Sequence, residues 1–234
     1  MRLIKYPDIE NWKEVLQRPA FDSTSHQEKV KLVLQDVRQN GNSAVKKYTQ
    51  QFDAVILNDF IVAEEEINKA ANLLSTELKA AIQTAADNIK TFHQKQVSNT
   101  EVIETMPGIQ CWRKSVGIER VGLYIPGGTA PLFSTILMLG IPAQIAGCRE
   151  IILCSPPTKE GKLHPAILFA AQLVGVTKMY KIGGVQAIAA MAYGTETVPQ
   201  VYKIFGPGNQ YVTSAKQLIQ QDGIAIDMPA GPSE

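Results

Sequence analysis

Five short segments rich in glycine and proline supply backbone and side chains suited to holding a ligand. They are Tyr124-Ile125-Pro126-Gly127-Gly128-Thr129, Ser155-Pro156-Pro157, Gly183-Gly184-Val185-Gln186, Gly206-Pro207-Gly208-Asn209 and Met228-Pro229-Ala230-Gly231-Pro232-Ser233-Glu234. Glycine lets backbone approach a ligand closely, and proline stiffens a loop at little entropic cost. Each segment follows a short β-type run. In a parallel sheet all five therefore lie on one edge, at the carboxyl ends of the strands, where ligands bind. Helices that start beyond such turns present free N–H groups and a positive dipole end to a pyrophosphate or carboxylate. The ordinary needs of a βα connection account for any one of these turns. Five together, several with a polar side chain just past the glycines, point to a crevice for a small anionic ligand. Composition and spacing do not name it.

Other chemistries find little support. Gly206-Pro207-Gly208 opens like G-x-G-x-x-G, but the sixth position is Tyr211, and proline at the centre makes the segment a turn first. No G-x-x-x-x-G-K-[ST] phosphate loop occurs. His26, His93 and His164 lie far apart and outside the glycine-rich turns, so each reads as a structural histidine. No H-x-x-x-H or C-x-x-C spacing marks a metal site, and no metal ligand is expected in this chain. Cys148 and Cys154 flank a strand and read as small core thiols, and no motif beside Cys111 marks it as a nucleophile. A net charge of +1 provides no global field to attract nucleic acid or an anionic membrane. Residues 1–12 mix charged and apolar side chains unlike a signal peptide, and the apolar stretch from Pro131 to Gly147 is broken by Pro142 and Gln144. Without a disulfide framework, a reducing cytoplasm is the expected compartment.

The elements that must position the turns fall into two regions. Residues 1–115 read as mainly helical. Val30, Val33, Leu34 and Val37 form one apolar stripe that ends at the Asn40-Gly41 stop signal. Glu64, Glu65 and Glu66 open a helix over 63–74, and Ser75 precedes a longer one with Leu78, Ile82, Ala85, Ile89 and Phe92 on one face. Residues 101–106 and 109–116 flank Pro107-Gly108 as a short two-stranded excursion, although a type II turn there splays hairpin strands. From residue 116 to 234 the pattern is strand, helix, strand: β-type runs at 120–125, 150–154, 178–182, 201–205 and 224–227 alternate with helical segments at 131–147, 165–174, 186–193 and 210–220. That alternation predicts an α/β fold, a parallel Rossmann-like sheet preceded by the helical region.

The turns also carry a family resemblance. The run Val121-Gly122-Leu123-Tyr124-Ile125-Pro126-Gly127-Gly128-Thr129-Ala130-Pro131-Leu132-Phe133-Ser134-Thr135 resembles the signature of histidinol dehydrogenases. So do Leu153-Cys154-Ser155-Pro156-Pro157, Gly183-Gly184-Val185-Gln186-Ala187-Ile188-Ala189-Ala190, Lys203-Ile204-Phe205-Gly206-Pro207-Gly208-Asn209 and the closing Ile226-Asp227-Met228-Pro229-Ala230-Gly231-Pro232-Ser233-Glu234. The resemblance implies an aldehyde-dehydrogenase-like fold and a cytoplasmic homodimer. It implies the oxidation of L-histidinol through the aldehyde to L-histidine, with two NAD reduced and zinc as a second cofactor. It places Tyr124, Gln186 and Asn209 at NAD-contacting positions and Ser233 at a substrate-contacting one. The family's acid–base Glu-His pair and its zinc ligands have no counterpart in these residues and are expected beyond Glu234. By this reading the chain is the N-terminal half of such an enzyme, without catalytic or metal-binding residues and inactive alone. A non-enzymatic nucleotide-binding or regulatory α/β module is the alternative.

Overall fold

A computed structural model describes residues 4–17, 24–128 and 130–227. A 3-10 turn at Ile9–Asn11 runs into the short α1 (Trp12–Val15). Then come α2 (Thr24–Asp53), α3 (Glu64–Ala70, continued by a 3-10 turn Ala71–Leu73) and α4 (Thr76–Gln94). The strands β1 (Val102–Met106) and β2 (Ile109–Trp112) follow. The remainder alternates as β3 (Arg120–Tyr124), α5 (Phe133–Ile145), β4 (Glu150–Ser155), α6 (Pro165–Leu173), β5 (Lys178–Lys181), α7 (Gly184–Tyr193), β6 (Lys203–Phe205), α8 (Gln210–Gln221) and β7 (Ala225–Ile226). Every strand and helix expected from the period changes is present, with ends shifted by a few residues everywhere but in α2.

Strands β3 to β7 form one parallel sheet in the order β5-β4-β3-β6-β7. The alternation of side chains across the pleat feeds two apolar layers. Ile152 and Cys154 of β4 pack on the α2, α7 and α8 side, whereas Leu153 packs on the α3 to α6 side. The N-terminal helices are thus part of the layers covering the sheet. Val30, Val33, Leu34 and Val37 are buried in the first layer, as their stripe requires. From α4, Ile82 and Ala86 are buried in the second, and Ser75 caps that helix by accepting from the Leu78 N–H at 3.2 Å.

Helix α2 differs from the expected stop at Asn40-Gly41. The chain breaks there, with Gly41 at φ 50° and ψ −129°, and then resumes as a second helical arm to Asp53. Asp36 ties the arms together by accepting from Lys47 Nζ at 2.7 Å and the Tyr48 hydroxyl at 2.8 Å. The excursion around Pro107-Gly108 is a true antiparallel hairpin. Its register shifts between Glu104 and Met106, and Gly108 sits at φ 84°. That irregularity reconciles paired strands with a turn that would otherwise splay them.

Candidate functional site

The strand order reverses between β3 and β6: the chain leaves β3 toward β4 and β5, then crosses back to lay β6 and β7 on the other side. Such a switch point leaves a crevice outside the carboxyl ends of the strands. A crevice of about 1490 Å³ opens there, walled by the turns after β3, β4, β5 and β6 and by the α2 face that carries Tyr48 and Asp53. Four of the five glycine- and proline-rich segments therefore meet at one place. The fifth, from Met228 onward, lies outside the described residues, as do Thr129 and Ser233.

The turns are held by contacts specific to their residues. Pro156 is wedged between two of them, so a Cβ at Gly127 would come within 2.7 Å of its ring and one at Gly183 within 2.5 Å. Gly206 has φ 132°, and a Cβ there would run into the main-chain oxygen of Tyr124, which keeps the ends of β3 and β6 in contact. Beneath this turn Lys216 of α8, only 5% exposed, donates to the Gly206 carbonyl at 2.9 Å and pairs with Asp227. Asp227 in turn accepts from the Gly206 N–H at 2.8 Å. Both backbone polar groups of Gly206 are thereby satisfied by a partly buried ion pair.

Tyr124 and Asn209 line the crevice directly. Tyr124 ends β3 in a buried position, and its hydroxyl accepts from the Gly184 N–H at 3.0 Å, which ties the strand to the start of α7. Burial, reinforced by the nearby Asp53 charge, pushes its phenol up to about 12, so the hydroxyl stays protonated at neutral pH. Asn209 caps α8, accepting from the Tyr211 and Val212 N–H groups at 3.1 Å each. Gln186 lies behind the turn, fully buried in α7. Its Nε2 donates to Asp53 Oδ2 at 3.3 Å, while its Oε1 has no partner. It reaches the crevice through Asp53 and Gly184 rather than by exposure.

Three participants escaped the sequence reading. Asp53 closes α2, and burial alone pushes its carboxyl up from 3.8 to about 6. Nothing local marks it, because its role depends on a helix returning to a sheet far along the chain. Lys216 was detectable: it follows Val212 by four residues and Ala215 by one, placing a cation on the buried stripe of α8. Asp227 ends an apolar strand, a weaker signal of the same kind. Of the histidines, His164 Nδ1 caps α6 by accepting from the Ala166 N–H at 3.1 Å and also lines the crevice, His26 lies against Gln210 and Tyr211 of α8, and His93 sits in the last turn of α4. Among the described residues no group of three or more His, Cys, Asp and Glu side chains converges as a metal site. The described residues therefore do not fit zinc. The switch-point crevice and its glycine turns do fit a dinucleotide.

Comparison with known proteins decides the family. The sequence model for histidinol dehydrogenase matches residues 16–234. The chain belongs to the histidinol dehydrogenase family. It is 62% identical over its whole length to the histidinol dehydrogenase of Bacteroides thetaiotaomicron, covering 55% of that protein. With the enzyme of Xylella fastidiosa the identity is 49% over 238 aligned positions, again covering 55% of the relative. The crystal structure of histidinol dehydrogenase from Elizabethkingia anophelis superposes with a TM-score of 0.93 at 52% identity, over 97% of this chain and 52% of that one. The chain thus spans about half the length of the histidinol dehydrogenases it matches.

Proposed function

We propose that the protein is an NAD-dependent oxidoreductase that converts L-histidinol through the aldehyde to L-histidine, and that this chain supplies its dinucleotide surface. The observation that carries this reading is the convergence of four family-motif turns at the switch-point crevice. Bound NAD supplies the hydride acceptor for each oxidation. The chain's own contribution is positional. Tyr124 presents an apolar ring wall whose hydroxyl is fixed by Gly184, so the ring is held before a ligand arrives. Asn209 uses its oxygen to cap α8 and offers its amide nitrogen to the ligand. Gln186 acts from behind the turn, its Nε2 orienting the Asp53 carboxylate in the crevice wall. The Lys216–Asp227 pair keeps the Gly206 turn from collapsing into the space between β3 and β6.

Ser233 contacts the substrate in this reading, and the acid–base pair and zinc ligands belong to sequence beyond Glu234. The intact protein is a cytoplasmic homodimer. Among the described residues no helix is long and apolar enough to cross a membrane. The test is NADH formation from L-histidinol by the full-length protein and by the 234-residue polypeptide. Turnover by the first and none by the second is expected. Absence of turnover by the full-length protein overturns the activity, and turnover by the shorter polypeptide overturns the division of labour.

A further inference from the structure

The first α/β unit lacks the acidic residue that a dinucleotide fold ordinarily carries at the end of its second strand to accept the adenosine ribose 2′-hydroxyl. Here that strand is β4, and it runs into Ser155-Pro156-Pro157 with no carboxylate. A carboxylate reaches the same place from another element. Asp53, at the end of α2, lies in the crevice wall beside the β4 and β5 turns: Gln186 Nε2 donates to its Oδ2 at 3.3 Å, and a Cβ on Gly183 would stand 3.3 Å from its Oδ1.

We propose that Asp53, backed by Gln186, is the ribose-diol acceptor of this site and sets its preference for NAD over the 2′-phosphorylated dinucleotide. The inference rests on the dinucleotide reading above. Two observations set Asp53 apart from an ordinary helix-end residue. It places a negative group at the negative end of a helix dipole, where cations are favoured. It is partly buried with no basic partner within ion-pair reach among the described residues, so burial raises its proton affinity unopposed. Both disfavour the unliganded protein, and the one hydrogen bond from Gln186 leaves the charge without a cation. Gln186 Nε2 takes one acceptor site of Oδ2 from behind the crevice wall and so orients the carboxylate. The acceptor sites left on its two oxygens call for a ligand group with two donors, which a vicinal diol supplies. A phosphate at the 2′ position brings only negative charge toward the same oxygens.

The experiment is a calorimetric titration of the full-length protein with NAD, NADP and 2′-deoxy-NAD, repeated on Asp53→Asn. Wild type is expected to bind NAD at least about tenfold more tightly than either analogue, the scale of a hydrogen bond to a charged group. In Asp53→Asn the NADP-to-NAD ratio of dissociation constants should fall by about tenfold or more, and the 2′-deoxy penalty should shrink with it. Equal wild-type affinity for NAD and 2′-deoxy-NAD overturns the proposal without any variant, so a poorly folding variant does not protect it. An unchanged ratio in a folded variant also overturns it. Wild-type protein that binds none of the three overturns the dinucleotide reading itself.

Discussion

At the scale of the residue, Asp53 and Lys216 show opposite ways of keeping a charge inside a fold. Asp53 is desolvated without a cation, so the folded chain holds its proton more tightly than the unfolded chain does, up to about pH 6 against 3.8. Stability must then fall as pH rises between those values and stay lower above them. A shift of this size corresponds to at most about 3 kcal/mol, and partial solvent contact reduces it to about 1 kcal/mol. Asp53→Asn is therefore expected to stabilise the unliganded protein by about 1 kcal/mol near pH 8 and to have almost no effect near pH 4. Urea unfolding at the two pH values checks this, and a variant weaker at the higher pH would contradict it. Lys216 is compensated on both sides, by Asp227 and by the Gly206 carbonyl. Lys216→Met removes the partner of the part-exposed Asp227 and is expected to destabilise the fold by about 1 kcal/mol, with part of the loss recovered by adding Asp227→Asn. Equal unfolding midpoints for parent and single variant would remove the clamp from the account of the site. The turns that carry Tyr124 and Asn209 were legible in the sequence because the glycines that shape them are chain neighbours. Asp53 was not, since the residues that give it meaning, Gly183 and Gln186, lie more than a hundred positions away.

At the scale of the element, period changes located the strands and helices, and the order of the strands is what they left open. Nothing in the pattern of β3 or β6 says that these two are neighbours; that follows from the crossover made by α7 and from the match of Gly206 to Tyr124. The stop signal at Asn40-Gly41 was similarly half of the truth. Ala44, Val45 and Tyr48 give the chain a second apolar stripe immediately afterwards, and their burial restarts the helix. The break is fixed by Gly41 and by Glu196, which accepts from the Asn42 N–H at 2.8 Å. Gly41→Ala would place a Cβ on a backbone at φ 50° and ψ −129°, as well as against the Glu196 carboxylate. The expected loss is about 2 kcal/mol of unfolding free energy. Because the backbone conformation is the larger obstacle, removing the flexible carboxylate with Glu196→Ala should not restore the loss; full recovery in the double variant would place the strain in the side-chain clash instead. Asp36 braces the same break, and its hydrogen bonds from Lys47, Asn40 and Tyr48 hold its carboxyl down at about 2. A group depressed in the folded state contributes above its unfolded value and loses that contribution as pH falls toward the folded one. The brace should accordingly release between about pH 4 and pH 2.

At the scale of the whole molecule, the sheet and the hairpin stand in contrast. Helices cover both faces of β3 to β7, and the central strands β3, β4 and β6 pair with neighbours on both edges. The hairpin of β1 and β2 is exposed along its full length, with Val102, Ile103, Met106, Ile109 and Trp112 all open to solvent. An isolated two-stranded hairpin is marginal in water, because it buries too little apolar surface to offset the ordering of its backbone. Local stability across the molecule should therefore be sharply uneven. In the 234-residue polypeptide at low concentration, hydrogen exchange is expected to be fast at the β1 and β2 amides and slow, near the global unfolding limit, at those of β3 and β4. Raising the concentration provides the decisive comparison. Hairpin exchange that slows as concentration rises, while β3 and β4 stay unchanged, means that the open apolar side chains are covered by another copy. Slow exchange at every concentration contradicts the uneven distribution of stability, because it requires the hairpin to be held by the rest of its own chain. The crevice does not depend on this outcome: its described walls come from α2, the four turns at the end of the covered sheet and the start of α6, and not from the hairpin.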